Sequence, residues 1–210
     1  MERSDLSDRW WQKWDDDTER NIVLRYWDTH STEAPRRDNL RSVLHSEMDP
    51  LPRPLSLVDF GCGNGLDAQF LVGLGVDYTG ADVTPAMLEE ARKAHPGLRF
   101  EQDDIFKSKF DDESFDVVLN SAVLPHLPED QIPIAISELW RITKKLLIVR
   151  LFGVRVPGGH SRYAVERGFI YQRWPQEKWV GLFEKHACAP RCHRGDTDQT
   201  ADCLILCCDK

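Results

Sequence analysis

The run Leu57-Val58-Asp59-Phe60-Gly61-Cys62-Gly63-Asn64-Gly65 constrains this chain more than any other stretch. A segment of strand character runs into a turn with glycine at alternate positions, and a helical segment from Ala68 to Leu74 leaves it. Glycines at such a turn permit left-handed backbone angles and let a ligand approach the main-chain amides. The unit sits inside a longer alternation. Ser56 to Phe60, Asp77 to Asp82, Leu98 to Gln102, Phe115 to Asn120 and Lys145 to Phe152 read as strands; Ala68 to Leu74, Pro85 to Ala94 and Pro128 to Ile142 read as helices. This pattern predicts an α/β fold, a doubly wound and mostly parallel sheet with right-handed crossovers and helices on both faces. Ligands of such sheets bind in the crevice at the carboxyl ends of the strands.

With 210 residues the chain suits one domain, 1–210. The proline-rich Met48 to Pro54 separates an N-terminal segment, 1–50, from the core at 55–152. In that segment Ile22, Val23, Tyr26 and Trp27, then Leu40, Val43 and Leu44, recur at helical spacing. A less regular stretch, 153–174, follows the core. In 175–210, Pro175 to His186 reads as a helix and Asp202 to Cys208 as a buried strand.

A net charge of -8 disfavours a protein whose whole surface grips nucleic acid. No apolar run is long enough to span a bilayer, and Met1 to Trp10 lacks the apolar stretch of a signal peptide, so a cytoplasmic protein with free thiols is expected. Of six cysteines, five fall at Cys188, Cys192, Cys203, Cys207 and Cys208. Their spacing does not reproduce paired zinc knuckles, so no metal is expected. Alternation puts Cys203 and Cys207 on one face of the last strand and Cys208 on the other.

Asp82 ends the second strand, where a carboxylate can accept hydrogen bonds from both ribose hydroxyls of an adenosine. A nicotinamide dinucleotide site would need a third glycine at position 66, which is Leu66. Five ordered stretches then carry a resemblance: Asp59-x-Gly61-x-Gly63-x-Gly65, Gly80-Ala81-Asp82-Val83-Thr84-Pro85-Ala86-Met87-Leu88, Asp104, Phe115-Asp116-Val117-Val118 and Val123-Leu124-Pro125-His126-Leu127. In these the chain resembles the class I S-adenosylmethionine-dependent methyltransferases of small-molecule type.

The resemblance implies a seven-stranded Rossmann-like sheet with one antiparallel strand near its end, and S-adenosyl-L-methionine as cofactor, leaving as S-adenosyl-L-homocysteine. It assigns Asp59 and the loop around Gly61, Cys62 and Gly63 to the methionine end, and Asp82 to the ribose. Val83 and Met87 would contact the adenine face, Asp104 and Ile105 its polar edge, and Asn120 the sulfonium end. The N-terminal segment would form a helical lid, with Tyr26 its contact to the cofactor. Each role has a plainer rival. The glycines can serve only a tight turn, Asp82 can cap the helix at Pro85, and Met87 can fill core. Asp103 and Asp104 point to opposite faces, so a one-residue slip would exchange them.

Methyl transfer from a sulfonium needs alignment and, for a protonated acceptor, a base. His126, implied to lie at the mouth of the site, is the candidate general base, its rival role being to pack or cap the following helix. Between Arg150 and Lys178 there are six basic residues against two acidic, a net of +4 in an acidic chain. Arg155, Arg162, Tyr163 and Tyr171 in this stretch are candidate acceptor contacts, and they favour a carboxylate- or phosphate-bearing small molecule over a solvated loop only if they face the site. The expected activity is O- or N-methylation by a monomer or homodimer, with no nucleic-acid or membrane partner. The alternatives are an NAD(P)-dependent oxidoreductase and a non-catalytic adenosyl-ligand-binding regulatory protein on the same fold.

Overall fold

The computed structural model describes residues 34–152, 154, 162–166, 169–186, 188–194 and 203–210, with backbone alone for 34–38, 162–166 and 169–171. In chain order the elements are α1 (Ala34–Met48), β1 (Leu55–Phe60), α2 (Ala68–Gly73), β2 (Val76–Asp82), α3 (Pro85–Ala94), β3 (Arg99–Gln102) and β4 (Phe115–Ser121). A 3₁₀ turn (Leu124–His126), α4 (Ile132–Ile142), β5 (Thr143–Phe152), β6 (Arg162–Glu166) and β7 (Phe169–Arg173) follow. The chain ends in α5 (Gln176–Phe183), a second 3₁₀ turn (Glu184–His186), β8 (Arg191–Arg194) and β9 (Cys203–Asp209).

Seven strands form one sheet in the order β3-β2-β1-β4-β5-β9-β8, and β6 with β7 forms a separate hairpin. Strands β1 to β5 are parallel, while β9 runs antiparallel to both β5 and β8. The order reverses between β1 and β4, so the crevice of a doubly wound sheet opens at the carboxyl ends of these two strands.

Strand alternation sorts the apolar side chains into two cores. Leu57, Leu146, Ile148, Ile205 and Cys207 face one side with Leu40, Val43, Leu44 and Met48 of α1, Leu71 of α2 and Leu88 of α3. Val58, Leu147, Val149, Leu204 and Leu206 face the other with Ile136 and Leu139 of α4 and Trp179 and Phe183 of α5. These side chains leave water almost completely, and each contributes about 1.5–3 kcal/mol.

Four expectations need correction. Helix α4 begins at Ile132 rather than at Pro128, because Pro133 has no N–H and is tolerated only in a first turn, where it stands. Residues 153–174 contain the β6–β7 hairpin. The final strand has a partner, β8, whose sequence Arg191-Cys192-His193-Arg194 lacks the apolar alternation that marks strands, as an edge strand can. Lastly, the thiols are not all free. Cys208 faces the α5 side and reaches Cys188 just beyond that helix, and the two form a disulfide. Cys207 faces the opposite core, as alternation requires.

Candidate cofactor and acceptor site

The glycine loop is held against the end of β2. The Gly61 and Cys62 amides both donate to the Ala81 carbonyl, at 2.7 and 3.0 Å, and the Gly65 amide closes the turn on the Cys62 carbonyl at 3.0 Å. Gly61, Gly63 and Gly65 all have positive φ, at 86°, 54° and 76°. At Gly61 a Cβ would fall on the Val123 Cγ2 methyl, so the residue is fixed by backbone angle and by neighbour together. Helix α2 starts within the same turn, through the Ala68 amide on the Gly65 carbonyl at 3.0 Å.

Asp82 organises the loop as well as lying in it. One carboxylate oxygen accepts the Gly63 amide and the other the Thr84 amide, both at 2.9 Å. The cap-like role and the ligand role are therefore compatible, since each carboxylate oxygen has a second lone pair. Asp59, one residue from the loop, is buried. Its carboxyl is pushed well above the usual range, first by desolvation and then by the negative Asp67 and Asp82. The buried Tyr78 phenol opposes this in part, although no hydrogen bond of good geometry joins the two. Desolvation also raises Asp82, with its backbone hydrogen bonds pulling the other way. The buried Cys62 thiol is raised by desolvation and by Asp82 and Asp59, so it stays protonated and packs as a small apolar group. Three carboxyl groups thus surround one loop of backbone donors. A ligand with cationic groups relieves the raised Asp59 and Asp82 carboxyls, and the pyrophosphate of a dinucleotide raises them further.

On the α3 side, Met87 is buried yet belongs to neither core, and its Cε stands 3.4 Å from where a Gly63 Cβ would be. Its place is over the loop rather than in the interior. Val83 is half-buried, and its carbonyl accepts from Gln102 Nε2 at 3.2 Å. Asp103 and Asp104 do different things. Asp103 is buried and engaged at both oxygens by its own loop, accepting from the Asp104 amide, the Lys109 amide and the Ser108 hydroxyl at 2.9, 3.1 and 2.6 Å. Asp104 is exposed and, among the described residues, its carboxylate accepts the Phe106 amide alone, at 2.9 Å, through one of its oxygens. Ile105 packs into the α4 and α5 core.

At the exit of β4, the Asn120 side chain is fully buried and donates to the Phe60 carbonyl at 2.8 Å, tying β4 to the residue that precedes the glycine loop. Among the described residues its buried Oδ1 has no hydrogen-bond partner. Ala122 adopts φ 63°, an uncommon angle for a residue with a Cβ, with its amide bonded to the Arg150 carbonyl at 2.9 Å. That turn delivers Val123 onto Gly61 and leads into the 3₁₀ turn carrying His126. The half-buried His126 ring packs on Phe152 at 5.2 Å. Beside it the buried Gln172 of β7 donates to the Leu127 carbonyl at 3.1 Å, so the β6–β7 hairpin docks directly on the His126 turn. Arg150, half-buried at the end of β5, reaches the Ser121 hydroxyl at 3.4 Å.

Asp59, Gly61, Cys62, Gly63, Asp82 and Met87 therefore converge on one loop, and His126 lies beyond Val123 on the adjoining turn. Arg162, Tyr163 and Tyr171 lie on the hairpin, with only their backbone described. Tyr26, Arg155 and the first predicted helix lie outside the described residues. Sequence reasoning missed the parts played by Asp67, Ala122, Val123 and Gln172. Only the Gln172 position carried a signal, a polar residue inside a segment of strand character.

The sheet order, with its reversed last strand and the glycine loop after β1, is that of the class I S-adenosylmethionine-dependent methyltransferases. Residues 57–145, less than half of the chain, match the family model described as a methyltransferase domain, and over that stretch the chain is similar to proteins of that class. The chain is 34% identical over 115 residues to a phthiotriol/phenolphthiotriol dimycocerosates methyltransferase of Mycobacterium leprae, a match covering 51% of this chain and 36% of that protein. It is 40% identical over 81 residues to a trans-aconitate 2-methyltransferase of Methylobacterium nodulans, covering 38% and 31% respectively. The chain thus spans about a third of the length of these relatives. Among solved structures, 1,6-didemethyltoxoflavin-N1-methyltransferase of Burkholderia thailandensis superposes with a TM-score of 0.71 at 18% identity, covering 90% of this chain and 85% of that one. At that identity the likeness is one of fold.

Proposed function

We propose that the chain transfers the methyl group of S-adenosylmethionine to a small-molecule acceptor, in an O- or N-methylation that leaves S-adenosylhomocysteine. The observation that carries this reading is the set of three carboxyl groups, Asp59, Asp67 and Asp82, around the donor-rich glycine loop. A sulfonium and an ammonium would draw the raised Asp59 and Asp82 carboxyls back toward their charged forms; the pyrophosphate of a nicotinamide dinucleotide would raise them further.

In this reading Asp59 and the loop around Gly61, Cys62 and Gly63 hold the methionine end, with the unpartnered Asn120 Oδ1 as a buried acceptor near it. Asp82 keeps its two amide contacts and accepts the ribose hydroxyls on its remaining lone pairs. Met87 and Val83 pack on the adenine, and Asp104, whose neighbour Asp103 is engaged at both oxygens by its own loop, reads its polar edge together with the Ile105 amide. Bound S-adenosylmethionine supplies an electrophilic methyl carbon on a good leaving group. His126 would take the proton that the acceptor hydroxyl or amine releases on methylation, with S-adenosylhomocysteine as the leaving group.

The acceptor is a carboxylate- or phosphate-bearing small molecule enclosed between the His126 turn and the β6–β7 hairpin. The docking of Gln172 beside His126 supports this, as do the net positive charge of that stretch and a relative named for trans-aconitate. Arg155, Arg162, Tyr163 and Tyr171 are its proposed contacts, and Tyr26 closes the lid. Among the described residues no helix is long and apolar enough to cross a membrane. The reading places the protein in the cytoplasm, as a monomer or homodimer, without a nucleic-acid partner.

Calorimetric titration with S-adenosylhomocysteine and with NAD⁺ tests the donor, and transfer of labelled methyl to a panel of carboxylates and their neutral esters tests the acceptor. Binding of NAD⁺ without S-adenosylhomocysteine would overturn the reading.

A further inference from the structure

Away from the glycine loop, three ligating side chains from three separate elements meet where the end of α1 crosses the far edge of the sheet. Glu47 is in the last turn of α1, His193 in β8 and Cys207 in β9, and a carboxylate oxygen, an imidazole nitrogen and the thiol sulfur all lie within 4.8 Å of one another. The register explains the meeting. Arg191 pairs with Cys207 and His193 with Ile205, so His193 and Cys207 are diagonal neighbours on one face of the β8–β9 pair. That face is the one on which α1 packs through Leu40, Val43, Leu44 and Met48.

We propose that Glu47, His193 and Cys207 bind a transition-metal ion, Zn²⁺ by the chemistry of the donors. One thiolate, one imidazole and one carboxylate, with a water completing the tetrahedron, is a set that zinc accepts and that calcium or magnesium does not. Bonds of about 2.0–2.3 Å at tetrahedral angles place ligand atoms roughly 3.3–3.7 Å apart. The Glu47 Oε1 to His193 Nε2 contact, now 2.8 Å, has to open slightly, and the thiol, whose proton is released on binding, has to close in.

The surroundings already orient the carboxylate. Arg191 donates to the other Glu47 oxygen, Oε2, through Nε at 3.0 Å and is itself held by Asp209. Oε1 is thereby directed toward His193, as an outer-shell partner directs a metal ligand. The site is separate from the proposed chemistry. Strand β8 is four places from β1 in the sheet, about 19 Å at ~4.8 Å per strand, so the two sites stand apart across the sheet even though Cys207 is level with Asp59 through Ile148 and Leu119. The ion's role is to fasten α1 to the edge of the sheet.

The test uses the full chain, stripped of metal, with its disulfide intact. Co²⁺ at about one equivalent is expected to give a thiolate-to-metal charge-transfer band and tetrahedral visible bands, both absent from Cys207→Ala and His193→Gln and retained in Cys192→Ser. Zn²⁺ at a hundredfold excess over its Kd should raise the Tm by roughly 5 °C or more in the parent chain and leave His193→Gln unmoved. Because His193 is half-exposed on an edge strand, its variant keeps the fold and decides the matter even if Cys207→Ala does not. No thiolate band, or a band that survives His193→Gln, would show a plain ion-pair cluster and overturn the proposal. A band abolished by Cys192→Ser would do the same.

Discussion

Replacing Gly61 by alanine separates backbone strain from steric conflict in the loop on which the proposed function depends. At φ 86° an L-residue costs about 1–2 kcal/mol over glycine. The added Cβ also falls on Val123 Cγ2, a methyl on a β-branched side chain with little rotameric freedom, which adds roughly 1–3 kcal/mol of overpacking. The sum, about 2–5 kcal/mol, corresponds to a drop in Tm on the order of 5–15 °C for a chain of this size. Two companions apportion it. Gly75→Ala, with φ 71° and nothing within 4 Å of the new Cβ, should lose only the strain component. In Gly61→Ala/Val123→Ala the steric component should vanish, giving a coupling of roughly 1–3 kcal/mol in a double-mutant cycle read from urea unfolding. Additivity of the two substitutions, or a Gly61→Ala loss no larger than that of Gly75→Ala, would refute the account of why glycine stands at 61.

Four further outcomes follow from the same geometry. Asn at position 82 keeps one acceptor oxygen for two amides, so Asp82→Asn should weaken S-adenosylhomocysteine binding by about tenfold or more in calorimetry; unchanged affinity would remove Asp82 from the site. The raised Asp59 carboxyl favours the native state below the unfolded carboxylate range and loses that advantage as pH rises through the native titration. Ligand-free Asp59→Asn should therefore gain stability relative to the parent as the pH is raised from 4 to 8, and a parallel pH dependence of the two Tm values would contradict it. His126→Gln should lower kcat about 10²–10³-fold with S-adenosylhomocysteine affinity intact if the imidazole is the base, and a matched loss of binding would assign it to packing on Phe152 instead. Reducing Cys188–Cys208 opens a 20-residue separation worth about 3 kcal/mol in the loop-entropy treatment, so Cys188→Ser/Cys208→Ser should melt roughly 6–12 °C lower.

Most of the sheet was legible because its strands are buried on both faces and its glycines mark turns, signals that live in neighbouring residues. The place of Asp82 at the end of β2 was legible for the same reason. What stayed hidden depends on contacts distant in sequence. β8 is polar because it is an edge, and its pairing with β9 is the only sign that it is a strand. The hairpin at residues 162–173 is anchored by Gln172 on Leu127, 45 positions away. Alanine at 122 carries no mark of the left-handed angle it adopts there.

By itself, then, the amino-acid order determined the α/β alternation, the glycine turn after β1 and the acidic residue that ends β2, since backbone freedom and hydrophobic period are local properties. Only the tertiary structure decided what surrounds that turn. Asp67 and Asp82 raise the buried Asp59 carboxyl, Val123 closes over Gly61, and the hairpin docks beside His126. It alone also joined Cys188 to Cys208 and brought Glu47, His193 and Cys207 together. Electrostatic fields and ligand sets are sums over groups near in space, and their members come from elements that the chain order keeps apart.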